Sequence, residues 1–129
     1  KQKKTVIMQA QNDEFNRKIL ENKDVDIIIN PEMHNRKDKL KQRDSGLNEV
    51  LCKLAKKNNI KIGLDISELK NIKGKEKAKI LARIMQNIKL CKRTGAELII
   101  TGNYDKKNAF SFLVTLGAST EMAKKAVEN

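Results

Sequence analysis

Four short apolar runs punctuate an otherwise polar chain: Thr5 to Met8, Val25 to Ile29, Ile60 to Leu64 and Leu98 to Thr101. Each is nearly continuously apolar, which suits strands buried on both faces of a parallel sheet. Between the runs the apolar period changes to that of a helix. Asp13 to Glu21, with Asn12 or Asp13 as cap, carries Phe15, Ile19 and Leu20. A second helix, Asn48 to Asn58, follows Asp44-Ser45, with Asp44 as an acidic cap and Leu47, Val50, Leu51, Leu54 and Ala55 as its buried stripe. A third runs from about Lys75 to Arg93. At roughly 100° per residue, Ile80, Ile84, Ile88 and Cys91 share a broad face with Leu81 and Met85. Lys75, Lys79, Arg83 and Gln86 lie opposite, giving a basic outward face, and Leu90 falls on that polar side as a contact point for a partner. Gly95 ends the helix with a left-handed residue. Two short helices close the chain, about Asn108 to Leu116 and Thr120 to Val127 with Ser119 as cap.

The order β-α-β-α-β-α-β-α-α predicts a single α/β domain of parallel βα units with right-handed crossovers. Four strands make either a small open sheet or part of a barrel. The loops after the strands are Gln9 to Asn12, Asn30 to Asp44, Asp65 to Gly74 and Gly102 to Lys107. In this architecture they form the functional edge.

Charge sharpens the picture. The 129 residues hold 28 Lys plus Arg against 16 Asp plus Glu, a net charge of +12. Such a field favours a polyanionic partner, nucleic acid before an anionic membrane. The long loop after the second strand concentrates His34, Arg36, Lys37, Lys39, Lys41 and Arg43, a dense phosphate-contacting candidate. Thr5, the N-terminal lysines, Lys73, Lys75 and Lys77 extend it. Aromatic side chains are scarce, so recognition rests on backbone and shape; Tyr104 is the one loop aromatic suited to stacking on a base. No secretory core or membrane-length apolar run occurs, and a cytoplasmic location is expected. Cys52 and Cys91 read as core thiols.

Catalytic chemistry is thinly supplied. His34 is the only histidine, and neither cysteine is followed by a plausible base. Asp65, Glu68 and Asp105 near strand ends offer a Mg²⁺ set, but Asp65 and Glu68 read more simply as turn caps or partners of loop lysines. No phosphate loop or dinucleotide pattern is present.

A series of motifs carries a family resemblance. Val25-Asp26-Ile27-Ile28, Pro31-Glu32, Arg43-Asp44-Ser45-Gly46-Leu47, then Leu51, Leu54-Ala55, Asn59 and the strand up to Asp65 follow in order. Lys75 to Leu90 with Arg83 and Asn87, then Ile99-Ile100-Thr101-Gly102 and Leu116-Gly117, continue it. Together they resemble archaeal ribonuclease P protein component 3, homologue of the eukaryotic thirty-kilodalton subunit of ribonuclease P and MRP. The resemblance covers nearly all of this chain but only the C-terminal part of the usual family length. It implies a TIM-like barrel related to the PHP phosphoesterase barrels, here partial, with the N-terminal units missing. It implies an RNA-binding, itself non-catalytic subunit of an endoribonuclease whose RNA removes the 5′ leader from precursor tRNA. The implied partners are ribonuclease P RNA and a Pop-five-type small protein in a heterotetramer, with magnesium serving the RNA and no cofactor or metal on the protein.

Residue by residue, Arg36, Lys37, Lys39, Lys41, Arg43, Ser45, Lys75, Lys79 and Arg83 are the expected RNA contacts. Asp44, Gly46, Asn87, Thr101 and Gly102 are the expected structural motif positions. Three departures stand out. Met33 to Gln42 is longer than the usual loop; Asn48-Glu49 stands where many relatives have Asp-His or Asn-His; and Gly63 replaces a more usual Ala, which points to tight packing or local loosening. A PHP-like metal-dependent phosphoesterase and a purely structural interaction module are the alternative functions.

Overall fold

The computed structural model describes residues 4–34 and 44–128. Four strands, β1 (Ile7–Gln9), β2 (Ile27–Ile29), β3 (Lys61–Asp65) and β4 (Leu98–Thr101), pair in the order β1-β2-β3-β4, every neighbour parallel. Among the described residues the order never reverses, so they hold no switch point of a doubly wound sheet. A sequential parallel order is that of a barrel arc, and the fold is a partial TIM-like barrel.

Helices α1 (Asp13–Glu21), α2 (Glu49–Lys57), α4 (Gly74–Thr94), α5 (Lys106–Thr115) and α6 (Thr120–Val127) connect or follow the strands. A one-turn helix α3 (Ile66–Leu69) leaves β3 directly, inside what the sequence pattern presents as loop. Its hydrophobic stretch is too short to show a helical period.

Side chains alternate across the sheet, and the two faces differ. Ile28, Ile62, Leu64, Leu98 and Ile100 join Leu20, Leu51, Ile84, Ile88 and Leu113 of the helices in one core. Burial of each such side chain contributes about 1.5–3 kcal/mol. Ile27, Ile29, Gly63 and Ile99 lie on the opposite face of the strands. There a Cβ on Gly63 would lie 2.7 Å from Ile29 Cγ2 and 2.8 Å from Ile27 Cγ2. Of the two explanations for this glycine, tight packing is the one observed.

Local signals place the helix ends well. Asn12 Oδ1 accepts from Phe15 N–H at 2.8 Å and Ser119 Oγ from Met122 N–H at 3.1 Å. Gly95 closes α4 at φ 83°. The start of α2 differs from expectation: Asn48 is the cap, accepting from Leu51 N–H at 2.9 Å, and Asp44 lies upstream and turns elsewhere.

Two buried stripes are also rotated from the apolar count. Val50 is 61% exposed, because α2 packs through Leu51, Cys52 and Ala55. On α4, Met85 is 43% exposed while Leu90 is buried, so Leu90 is no surface contact point. The α4 stripe is Ile80, Arg83, Ile84, Asn87, Ile88 and Cys91, an unbroken i, i+3, i+4, i+7 series that includes two polar residues.

Candidate nucleic-acid interface

Parallel strands put all their C-terminal ends on one edge. There the two chain segments on either side of residues 35–43 are joined to α4 by polar contacts. Gly46 has φ 85°, and a Cβ on it would sit 1.8 Å from Pro31 O. Only glycine lets the 44–47 segment lie against the Pro31 carbonyl. Asp44 Oδ1 accepts from Gly46 N–H at 3.1 Å and lies 3.4 Å from His34 Nε2. His34 and Asp44 are therefore clasped across the points where the chain leaves and returns.

Arg83 supplies the second tie. Its Nη1 donates to Glu32 O at 3.1 Å and His34 O at 2.9 Å. Asn87, one turn on, donates Nδ2 to Ser45 O at 3.1 Å. The Arg83-Asn87 pair thus holds one segment with each residue, four positions apart on a single helix face.

Below this clamp lies an unusual carboxyl. Glu32 is 2% exposed, and its Oε2 has no hydrogen-bond partner among the described residues. Asn87 Oδ1 is likewise buried without a partner. Both residues line one cavity of about 10 Å³. A neutral carboxyl leaves less unpaired charge there than an ionised one. Burial pushes the Glu32 pKa up from 4.5 to about 7; the Glu32 backbone N–H and the Arg83 charge pull it down, and Glu68 adds to the rise.

Several expected contacts change role. Ser45 and Arg83 are both 0% exposed, so neither presents a group to phosphate at the surface of the described chain. Ser45 Oγ donates to Leu47 O at 3.3 Å, and Arg83 serves the clamp. The physical reason is shared: backbone carbonyls brought inside by the 31–34 and 44–47 turns need donors, and a long guanidinium reaches two of them. Lys75 is exposed and Lys79 half-buried, so both keep access to solvent. Arg36, Lys37, Lys39, Lys41 and Arg43 lie outside the described residues.

Thr101 ends β4, and Gly102, at φ 83°, abuts Asp65: a Cβ there would lie 2.7 Å from Asp65 Oδ1. Asp65 Oδ1 caps α3, accepting from Ser67 N–H at 3.0 Å. Asp105 caps α5 through Lys107 and Asn108 N–H at 2.8 and 3.2 Å. Glu68 accepts from Asn30 Nδ2 at 3.1 Å, and Asn30 Oδ1 in turn accepts from Asp65 N–H at 3.1 Å. Among the described residues no three His, Cys, Asp or Glu side chains group as metal ligands. The carboxylates offered for a hydrolase are engaged as caps and loop braces. Cys52 and Cys91 are buried and hydrogen-bonded to one another between α2 and α4; that bond lowers the Cys52 pKa and, with burial, raises that of Cys91.

No protein-family model matches the chain. Curated relatives do. Over 120 residues, 88% of this chain and 49% of the relative, it is 32% identical to ribonuclease P protein component 3 of Methanocaldococcus jannaschii. It is 31% identical over 87 residues, 67% of this chain and 35% of the relative, to the same component of Methanococcus vannielii. The chain belongs to the ribonuclease P protein component 3 family. A chain in the cryo-EM structure of archaeal ribonuclease P with mature tRNA superposes with TM-score 0.80 at 29% identity, covering 96% of this chain and 53% of that one. The chain thus spans about half the length, or less, of the component 3 proteins it matches. No helix among the described residues is long and apolar enough to cross a membrane.

Proposed function

We propose that the chain is an RNA-binding accessory part of ribonuclease P, supporting RNA-catalysed removal of the 5′ leader from precursor tRNA. The observation that carries this reading is the superposition of 96% of the chain on part of an archaeal ribonuclease P bearing tRNA. The net charge of +12 supports it independently.

In this reading the protein neutralises phosphate and does not transfer protons. The Gly46, Arg83 and Asn87 clamp fixes the chain on either side of the basic segment 35–43. Arg36, Lys37, Lys39, Lys41 and Arg43 in that segment, with exposed Lys75 and half-buried Lys79, meet the phosphates. Each neutralised phosphate releases counterions, so affinity falls steeply with salt. The partners are ribonuclease P RNA, a Pop-five-type small protein in a heterotetramer, and precursor tRNA through the holoenzyme. Magnesium serves the RNA, the protein binds no cofactor, and the complex works in the cytoplasm.

The test is precursor-tRNA cleavage by reconstituted ribonuclease P RNA and partner proteins, with and without this chain, across magnesium concentration. Stimulation that requires the RNA is the expected result. An assembled system indifferent to the chain overturns the reading.

A further inference from the structure

A second feature occupies the same edge of the sheet. A cavity of about 230 Å³ opens between α3 and α5, lined by Ile66, Lys70, Asn103, Tyr104, Asn108 and Phe112 among others. α3 follows β3 directly, and Asn103 and Tyr104 lie just after β4, so the cavity stands at strand C-terminal ends as the clamp does. It is smaller than the roughly 300 Å³ at which drug-sized pockets begin.

Its lining has a definite chemistry. Tyr104 is half-buried, and its hydroxyl donates to Val127 O at 3.3 Å, which ties the ring to the end of α6. The hydroxyl is engaged, so what Tyr104 brings to the lining is aromatic surface and not a free donor. Ile66 and Phe112 are half-buried apolar walls. Asn103 and Asn108 are exposed amides, each with both donor and acceptor atoms. Lys70, Lys106 and Lys107 are exposed nearby. The acid in the lining, Asp105, is held as the α5 cap by Lys107 and Asn108 N–H.

We infer that this cavity receives one unpaired RNA base, stacked on Tyr104, with an amide on its edge and its phosphate toward Lys70. An aromatic face, amide groups and a cation are the set by which proteins hold a base splayed from structured RNA. The inference deepens the RNA-binding reading and rests on it. It also gives a chain poor in aromatic residues one point of contact that distinguishes unpaired from paired RNA.

The test uses the chain's own signal. Tyr104 is the only tyrosine and there is no tryptophan, so tyrosine emission from the full chain reports this cavity alone. The chain is titrated with a single-stranded oligoribonucleotide and with a duplex of equal length, each end-labelled so that anisotropy reads affinity separately. Both bind; only the single strand quenches tyrosine emission saturably. Tyr104→Leu weakens single-strand affinity by about 5- to 150-fold, the range of aromatic–base stacking, and spares the duplex. Tyr104→Phe, which keeps the ring, restores affinity. Because Tyr104 also packs on the core, the exposed variant Asn103→Ala provides a check free of folding effects, and it too weakens the single strand selectively. RNA binding without quenching, or equal quenching by duplex, overturns the base site and leaves the RNA-binding reading standing. Failure of the unaltered chain to bind either RNA overturns both.

Discussion

The buried Glu32 carboxyl makes a prediction about pH whose size follows from its surroundings. Its pKa is raised by burial from 4.5 to about 7. A raised carboxyl pKa means that the folded state holds the proton more tightly than the unfolded state. The associated stability is therefore fully present below pH 4.5 and is lost as pH rises toward 7, after which the loss levels off. At 1.36 kcal/mol per unit, an interval of about 2.5 units corresponds to roughly 3 kcal/mol. That is a large part of the 5–15 kcal/mol typical of a small domain. Glu32→Gln removes the titration and keeps the shape. Urea denaturation of both proteins at several pH values between 4.5 and 8 isolates the effect, since every other carboxylate cancels in the difference. Relative to Glu32→Gln, the unaltered protein loses roughly 3 kcal/mol across that range. Parallel stability curves would refute the reasoning, showing that Glu32 ionises as readily inside as outside and pairs with Arg83 as a charge.

Other perturbations separate the clamp from the surface. Gly46→Ala drives a Cβ into Pro31 O and forces an L residue to φ 85°, so denaturation should show a loss of at least about 3 kcal/mol or failure to fold. Arg83→Met should cost about 3–5 kcal/mol by the same assay, because two inward carbonyls lose a charged donor. Lys75→Ala with Lys79→Ala should leave stability within about 0.5 kcal/mol per substitution yet reduce the salt slope of RNA affinity by about 1 to 2. Gly63→Ala should destabilise by about 1–3 kcal/mol, since the methyls it meets belong to stiff β-branched side chains.

Much of the fold is legible because its signals are local. Isoleucine-rich runs mark buried strands, and Asn12, Ser119 and Gly95 mark helix ends through their own hydrogen bonds or φ. The alternation of elements then leaves a parallel sheet as the simplest assembly. What stays hidden is tertiary. Val50 and Leu51 are equally apolar, and only the direction of α2's neighbours decides that Val50 is 61% exposed. On α4, Arg83 and Met85, and likewise Asn87 and Leu81, lie symmetrically about the Ile80, Ile84, Ile88 stripe, so spacing alone does not decide which pair is buried. What decides it is tertiary: carbonyls of Glu32, His34 and Ser45 face α4 and take the Arg83 and Asn87 donors. Asp44 carries the same lesson at shorter range. An acidic residue before a helix suggests a cap, but Asn48 stands one residue before α2 and takes the role, leaving Asp44 for His34.

The polar cluster of Glu32, Arg83 and Asn87 is an expensive way to fill space. Aliphatic side chains of similar volume would pack there without leaving Glu32 Oε2 and Asn87 Oδ1 unpartnered. Arg83 provides what an aliphatic cannot: its Nη1 donates to two particular carbonyls, Glu32 O and His34 O. Asn87 does the same for Ser45 O on the returning segment. The segments on either side of residues 35–43 are thereby fixed to one helix. Anchoring residues 32–34 and 45 to α4 holds the points where the chain leaves and returns at the strand C-terminal edge.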